Sequence, residues 1–178
     1  MAHLVSQFER VLYIDLDTTF AAYFNAMLIK PRKGSSIDVY LPSEGRLLPI
    51  IRDVIESMRK NQLVIFDSVN SFYNLFPPQV RTGDLNHLLS VLLMLLVRRG
   101  FDEHIPVLAT SMLRYRKDRG WVQSPASRRL LKHKSAARLS VELSSPRYDG
   151  IVVTIEEHES MPAGTQLIYN KDYIPIAF

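Results

Sequence analysis

Three short apolar runs stand out along the chain, at residues 11–16, 63–66 and 106–111. Each run is followed closely by polar side chains, which is typical of strands buried on both faces of a parallel sheet. Segments with helical apolar spacing lie between the runs. They are predicted at residues 19–29, from Ser43 to about residue 61, and from Asp84 to Val97, with Ser43 and Asp84 as expected N-caps.

The order of these elements predicts the fold class. Strands that alternate with helices favour right-handed β-α-β units, and hence an α/β fold with a mostly parallel central sheet flanked by helices. An extra short strand is predicted at 37–41. Towards the C-terminus, residues 139–143 and 151–156 flank a turn at 144–150, which indicates an antiparallel hairpin, and 166–169 would add an edge strand. We expect a single domain over residues 1–178.

Composition narrows the class of protein. Of the 178 residues, 47% are hydrophobic and 22% are charged, which is enough to build a core. There is no cysteine, so disulfides, thiolate zinc sites and cysteine catalysis are excluded. No apolar run reaches the roughly 18 residues of a membrane span, and residues 1–10 lack a signal-peptide pattern. We therefore expect a soluble, cytoplasmic protein that does not bind membranes.

The positive charge of the chain is concentrated in one segment. Between Met112 and Arg138 there are nine basic residues and one acid, a net charge of +8, whereas the remainder carries 13 basic and 17 acidic residues, a net charge of −4. Local basic clusters attract phosphate backbones because neutralised phosphates release their counterions. A solvated helix face followed by a loop would give the same charge pattern.

Polar residues follow all three predicted buried strands. The residues are Asp15 and Asp17, Asp67 and Ser68, and Thr110 and Ser111. Ligands of parallel sheets bind at the carboxyl ends of strands, so these side chains are candidates for a site. The same residue types also serve as helix N-caps, which is the structural alternative.

One interpretation of the first strand end is enzymatic. Asp15, Asp17 and Thr19 resemble the D-x-D-x-T motif of haloacid-dehalogenase-type phosphatases. That resemblance implies that Asp15 attacks phosphorus and that Asp17 acts as general acid and base. Such enzymes also hold magnesium with a downstream acidic pair, and no such pair follows a strand after Thr110.

A second interpretation rests on several motifs. Residues 63–68 (LVIFDS) resemble the Walker B element, in which the aspartate orients magnesium on a nucleotide. Residues 13–20 (YIDLDTTF) are similar to the Y-I-D-T-E-G-T-F segment of the RecA/RadA recombinase superfamily, and residues 161–174 are similar to its closing segment. A later superfamily pattern, close to G-G-N-x-L-x-H-x-S-T-x-R-L, is matched in register at His133, Ser135, Arg138 and Leu139. The chain thus resembles a RadA/RadB-like paralogue over nearly its whole length.

The resemblance implies a RecA-like sheet but not its chemistry. None of the seven glycines is followed by lysine, so the chain lacks the G-x-x-x-x-G-K-[ST] loop that cradles phosphates. Asp17 stands where the superfamily has its catalytic glutamate, and Thr18 replaces a glycine. We therefore expect no ATPase activity, no metal and no cofactor, with Asp15 and Asp67 kept as helix caps or hydrogen-bond acceptors.

The basic segment then becomes the candidate binding surface. In the superfamily, the stretch after residues 106–111 is a DNA-binding loop. Arginines interleaved with aromatic residues suit single strands, because guanidinium groups meet phosphates while aromatic rings stack on bases. The predicted DNA-binding residues are Arg114, Tyr115, Arg116, Lys117, Arg119, Trp121, Arg128 and Arg129. Trp121, the only tryptophan, has the alternative role of packing onto the body of the protein.

Three functional hypotheses follow. The first is a non-catalytic recombinase paralogue that binds single-stranded DNA and a recombinase partner, as an accessory factor in recombination and repair. The second is a protein-binding pseudo-ATPase subunit of a KaiC-like or Elongator-like assembly. The third is the phosphatase. Because a sheet that lacks its P-loop strand exposes an edge, we also expect homo- or hetero-oligomers.

Overall fold

The computed structural model describes residues 8–31, 33–59, 62–118, 120–123, 137–143 and 150–170. The chain divides into two compact units, Met1–Ser127 and Arg128–Phe178. The prediction of one domain over residues 1–178 stays a prediction. None of the helices in the described ranges is long and apolar enough to cross a lipid bilayer.

A four-stranded parallel sheet forms the core of the first unit. Its strands are β1 (Arg10–Asp15), β2 (Ser36–Tyr40), β3 (Gln62–Asp67) and β4 (Val107–Ala109), in the spatial order β2-β1-β3-β4. The predicted strands and their parallel pairing are confirmed, but β4 is shorter than the predicted run at 106–111 and is only half-buried. The central strands are apolar on both faces, and Val11, Leu12, Ile14, Val64 and Ile65 have no solvent exposure. This is the burial that continuous apolar runs indicate.

Helices connect and flank the strands. They are α1 (Thr19–Asn25), α2 (Leu47–Ser57) and α3 (Thr82–Glu103), with 3-10 turns at Glu44–Arg46 and Ser71–Leu75. Phe20 of α1 stacks on Tyr13 of β1, with ring centroids 3.8 Å apart, and closes one core cluster with Val11, Leu63 and Ile65. The α/β fold predicted from the sequence is therefore confirmed.

The helix ends differ from their predictions. Helix α3 begins at Thr82, before Asp84, and continues to Glu103, six residues past its predicted end at Val97. Ion pairs at i,i+4 spacing, Arg98–Asp102 and Arg99–Glu103, support these last turns. Ser43 makes no side-chain cap, because a 3-10 turn separates it from the start of α2 at Leu47.

Gly100 allows the end of α3 to approach β4. A Cβ atom at this position would lie 2.6 Å from Val107 Cγ2 and 2.7 Å from the backbone oxygen of Ile105. The N–H of Ile105 also bonds the carbonyl of Gly100 at 2.7 Å. The glycine is thus a packing requirement at the helix end.

Two antiparallel elements follow the parallel sheet in the sequence. In the first unit, β5 (Leu113–Arg116) and β6 (Gly120–Gln123) form a hairpin. In the second unit, β7 (Ala137–Leu143), β8 (Gly150–His158) and β9 (Gln166–Asn170) form a three-stranded sheet in that order. The predicted C-terminal antiparallel strands are confirmed.

Candidate functional site

The carboxyl ends of β1, β3 and β4 bring the predicted polar residues together. The parallel register sets Asp15 directly beside Asp67. Past the end of β4, the N–H of Thr110 bonds the carbonyl of Phe66 at 3.1 Å, and the N–H of Val69 bonds the carbonyl of Thr110 at 2.9 Å. These two hydrogen bonds fix the segment after β4 against the end of β3. The peptide bond between Asp67 and Ser68 is cis.

Both carboxylate oxygens of Asp67 accept hydrogen bonds from hydroxyl groups. The phenol of Tyr13 donates to Oδ2, and the hydroxyl of Thr110 donates to Oδ1. Burial raises the pKa of Tyr13 far above its ordinary value, and the hydrogen bond to Asp67 raises that pKa further. The phenol therefore stays a donor across the physiological range. Asp67 thus ties together β1, β3 and the segment after β4.

Asp15 is buried, with 1% of its surface exposed. Its Oδ2 atom accepts the N–H of Ala21 at 2.7 Å, which caps the first turn of α1. Among the residues that the structure describes, its Oδ1 atom has no hydrogen-bond partner. Burial raises the pKa of Asp15; the Ala21 N–H opposes this effect, and the negative charge of Asp17 adds to it.

Asp17 and two serines form a polar network beside these acids. Asp17 Oδ1 accepts the N–H of Thr19 at 3.0 Å, and Ser71 Oγ lies 3.5 Å from the other oxygen of Asp17. Ser68 Oγ is 2.9 Å from Ser71 Oγ and accepts the Ser71 N–H at 3.2 Å. Asp17 and Ser68 therefore cap the turns that follow β1 and β3.

The oxygens of Asp67 are held in place by neighbouring strands. Each oxygen accepts one hydroxyl proton and keeps a second lone pair. Within the described ranges, no group of three or more Asp, Glu, His or Cys side chains is placed to hold a metal. The buried Asp15 carboxylate is also a poor nucleophile candidate, because a substrate would have to reach a side chain that is 1% exposed.

The basic segment begins directly after these strand ends. Asn70 Oδ1 accepts the N–H of Met112 at 2.8 Å and lies 3.2 Å from Ser111 Oγ, so it holds the root of the hairpin. The hairpin register pairs Tyr115 with Trp121 and Arg114 with Val122. A loop was predicted for residues 114–121; instead, most of them belong to paired strands. Because strand faces alternate, positions 114 and 116 share one face, and positions 115 and 121 share the other.

The structure describes only some of the predicted DNA-binding residues. Lys117 is exposed in the turn between β5 and β6. Arg119, Arg128 and Arg129 lie outside the described residues, as do His133 and Ser135 of the later superfamily motif.

The roles of Tyr13 and Asn70 were not predicted from the sequence. A phenol inside an apolar strand was the available signal for Tyr13, because buried hydroxyls need a partner. No sequence signal marks Asn70 as the anchor of the hairpin.

Comparison with known proteins identifies the architecture. No family model and no curated protein matches the chain. Among solved structures, the chain is similar to one titled "Crystal structure of the RadB recombinase", with a TM-score of 0.61 and 15% sequence identity over 95% of this chain and 77% of that one. The fold is RecA-like. The RecA-like sheet, its flanking helices and its C-terminal antiparallel strands are those that the sequence motifs implied.

Proposed function

We propose that this protein is a non-catalytic RecA-like factor that binds single-stranded DNA and acts beside a recombinase in recombination or repair. The observation that carries the proposal is the hairpin after β4, in which Tyr115 pairs with Trp121 between arginine positions. Asn70 fixes its root to the strand ends of the RecA-like sheet. The similarity to the RadB recombinase structure supports the choice of a nucleic acid as ligand.

Single strands suit this hairpin better than duplexes. An aromatic pair offers a stacking surface for unpaired bases, worth roughly 1–3 kcal/mol per base. Arginine positions on the alternate face, with exposed Lys117 at the turn, supply cations for the phosphates. In a duplex the bases are already stacked, so only the charge contribution would remain.

The absence of catalysis is the second part of the proposal. Asp67 is engaged by Tyr13 and Thr110, and the chain has no glycine followed by lysine to grip a triphosphate. Each lost charge-assisted hydrogen bond to phosphate removes roughly 1.5–3 kcal/mol. We expect no magnesium-dependent ATP hydrolysis above buffer background. Turnover that disappears in Asp67→Ala would overturn this part.

The binding test uses the single tryptophan. Titration with a short oligothymidylate should change Trp121 fluorescence, and the dissociation constant should rise steeply with salt. If three phosphates are neutralised, raising the salt fourfold should weaken binding about 20-fold. No change in fluorescence, and no change in the anisotropy of labelled DNA at low salt, would remove the DNA-binding hypothesis.

Matched variants locate the surface. Arg114→Ala/Arg116→Ala should weaken binding of labelled DNA by about tenfold or more, because two phosphate contacts are lost. The control, Arg46→Ala/Arg52→Ala, removes the same charge from exposed positions elsewhere in the first unit. Equal losses in both double variants would indicate a diffuse charge effect and contradict the hairpin assignment.

The protein-binding pseudo-ATPase is the second candidate, because the described surface includes exposed apolar side chains such as Phe101 and Leu143. A stable ring in light scattering, without affinity for DNA, would favour it over the first proposal.

A further inference from the structure

The last half of α3 carries apolar side chains on the side away from the core. Leu89, Leu92 and Leu96 face the core and are at most 3% exposed. The opposite side presents Met94, Leu95, Val97 and Phe101, of which Phe101 is 78% exposed. Neighbouring exposed apolar side chains can mark a binding surface. An exposed phenylalanine amid three further apolar residues within two turns therefore indicates an interaction surface, which we call the α3 outer face.

Charges of both signs lie within the same face. Arg98 and Asp102 are one turn apart, with side chains 79% and 50% exposed, and their nearest atoms are 3.7 Å apart. A contact of 3.7 Å between exposed groups contributes little to the stability of the helix. The pair gives the α3 outer face a positive and a negative end separated by one helical turn.

This arrangement is complementary to itself. In a two-fold interface, the same patch faces its own copy, and residue i meets residue j while j meets i. Two antiparallel copies of α3 that overlap over residues 97–103, with the two-fold axis level with residue 100, would bring Arg98 of one copy beside Asp102 of the other, twice, with the two Phe101 side chains near the axis. A partner surface that carried charges of only one sign would place a like charge against either Arg98 or Asp102, and like-charge contacts are strongly disfavoured at interfaces.

We infer that two copies of this chain associate through the α3 outer face, with their α3 helices antiparallel and Arg98 paired with Asp102 of the second copy. The dimer stands independently of the proposed DNA binding, since none of these residues belongs to the β5–β6 hairpin.

The test is a charge exchange between copies. Sedimentation equilibrium of the full chain should give a dimer. Arg98→Glu alone and Asp102→Arg alone should each weaken the dimer by about tenfold or more, because each creates two like-charge contacts. An equimolar mixture of the two variants should form a heterodimer again. In that mixed dimer, the glutamate introduced in one variant meets the arginine introduced in the other, and the unaltered Asp102 meets the unaltered Arg98.

The mixture distinguishes an effect on the dimer interface from an effect on the stability of α3 within each copy. Both variants lose the Arg98–Asp102 pair within their own helix, and mixing cannot restore it. Recovery of dimer on mixing therefore supports the interface, whereas a mixture that stays monomeric overturns it. A wild-type protein that is monomeric at about 100 μM, where a micromolar dimer would be largely formed, overturns it as well.

A second pair of variants tests the apolar part. Phe101→Ser should weaken the dimer by about tenfold or more, because central aromatic residues dominate interface energies. Leu48→Ser is the matched control, since Leu48 is 57% exposed on α2 and lies outside the α3 outer face. Equal dimerisation of both variants and the wild type would contradict the proposal.

Discussion

Tyr13, inside β1, donates its phenolic hydrogen bond to Oδ2 of Asp67 at the end of the neighbouring strand β3. The ring of Tyr13 is buried against Phe20, so the polar end of the side chain has to find its partner within the protein. Thr110 occupies the second oxygen of the same carboxylate. The acid that resembles a catalytic element in sequence therefore connects β1, β3 and the segment after β4.

Removal of the Tyr13 hydroxyl should destabilise the fold. Tyr13→Phe keeps the ring stacked on Phe20 but leaves a carboxylate oxygen of Asp67 without its donor, at a cost of roughly 1–3 kcal/mol in the free energy of unfolding. Tyr73→Phe is the control, since Tyr73 donates to Asn86 at 2.6 Å in a half-buried setting. Urea unfolding should show the larger loss for Tyr13→Phe. Equal losses would contradict the connector role.

The buried Asp15 predicts a pH-dependent stability. Its pKa is raised in the folded protein, chiefly by burial, so between its unfolded and folded pKa values the folded state binds more protons than the unfolded state. The folded state favours the protonated, neutral carboxyl of Asp15. This preference stabilises the folded protein fully below the unfolded pKa of about 3.9, and the stabilisation is lost as pH rises through the folded pKa.

Asp15→Asn isolates this effect. The asparagine keeps an oxygen acceptor for the Ala21 N–H but does not ionise. The stability of the wild type relative to Asp15→Asn should therefore fall as pH rises above about 4 and level off once the folded carboxyl has ionised, as measured by urea unfolding at each pH. A difference that does not change with pH would rule out titration of Asp15.

The protein should be more stable with glycine in place of Thr18. The φ angle of Thr18 is 64°, in the left-handed region, and this conformation costs a residue with a Cβ atom about 1–2 kcal/mol in the folded state. Glycine removes that cost, but its greater freedom in the unfolded chain lowers the stability by about 0.5–1 kcal/mol. Thr18→Gly should thus raise the free energy of unfolding by up to about 1 kcal/mol. Thr19→Gly, at the first residue of α1, should lower it. Thermal unfolding of both variants checks the opposite signs.

Gly100 should not tolerate alanine. The new methyl group would meet Val107 and the Ile105 backbone at less than 3 Å, and overpacking of this kind costs about 1–3 kcal/mol. Gly83 is the matched control within the same helix, because a Cβ atom there would have no other atom within 4 Å and alanine favours the helix. A Gly100→Ala variant with an unchanged free energy of unfolding in urea would show that the end of α3 can move away from β4 without cost.

The sequence predicted the sheet well because its strands are buried. Continuous apolar runs at 11–16 and 63–66 have one natural place in a small α/β protein, the centre of a parallel sheet, and that is where β1 and β3 lie. Helix ends were predicted less well. The i,i+4 spacing of Arg98–Asp102 and Arg99–Glu103 is a local signal that favours helix up to residue 103, whereas the close approach at Gly100 depends on a tertiary contact that a local pattern does not show.

The sequence predicted where the polar strand-end residues lie, but it did not predict the hydrogen bonds that they make. Asp15, Asp17, Asp67 and Ser68 do meet at the strand ends, because parallel strands align their carboxyl ends. That Asp67 would be held by Tyr13 could not be read from the sequence, since the two residues are 54 positions apart and their partnership depends on strand register. The hairpin pairing of Tyr115 with Trp121 is likewise a matter of register.

The double hydroxyl contact of Asp67 couples three positions that lie far apart in the sequence. Substitutions at Tyr13, Asp67 and Thr110 disturb the same network of hydrogen bonds. Their effects on the free energy of unfolding should therefore be non-additive when they are combined.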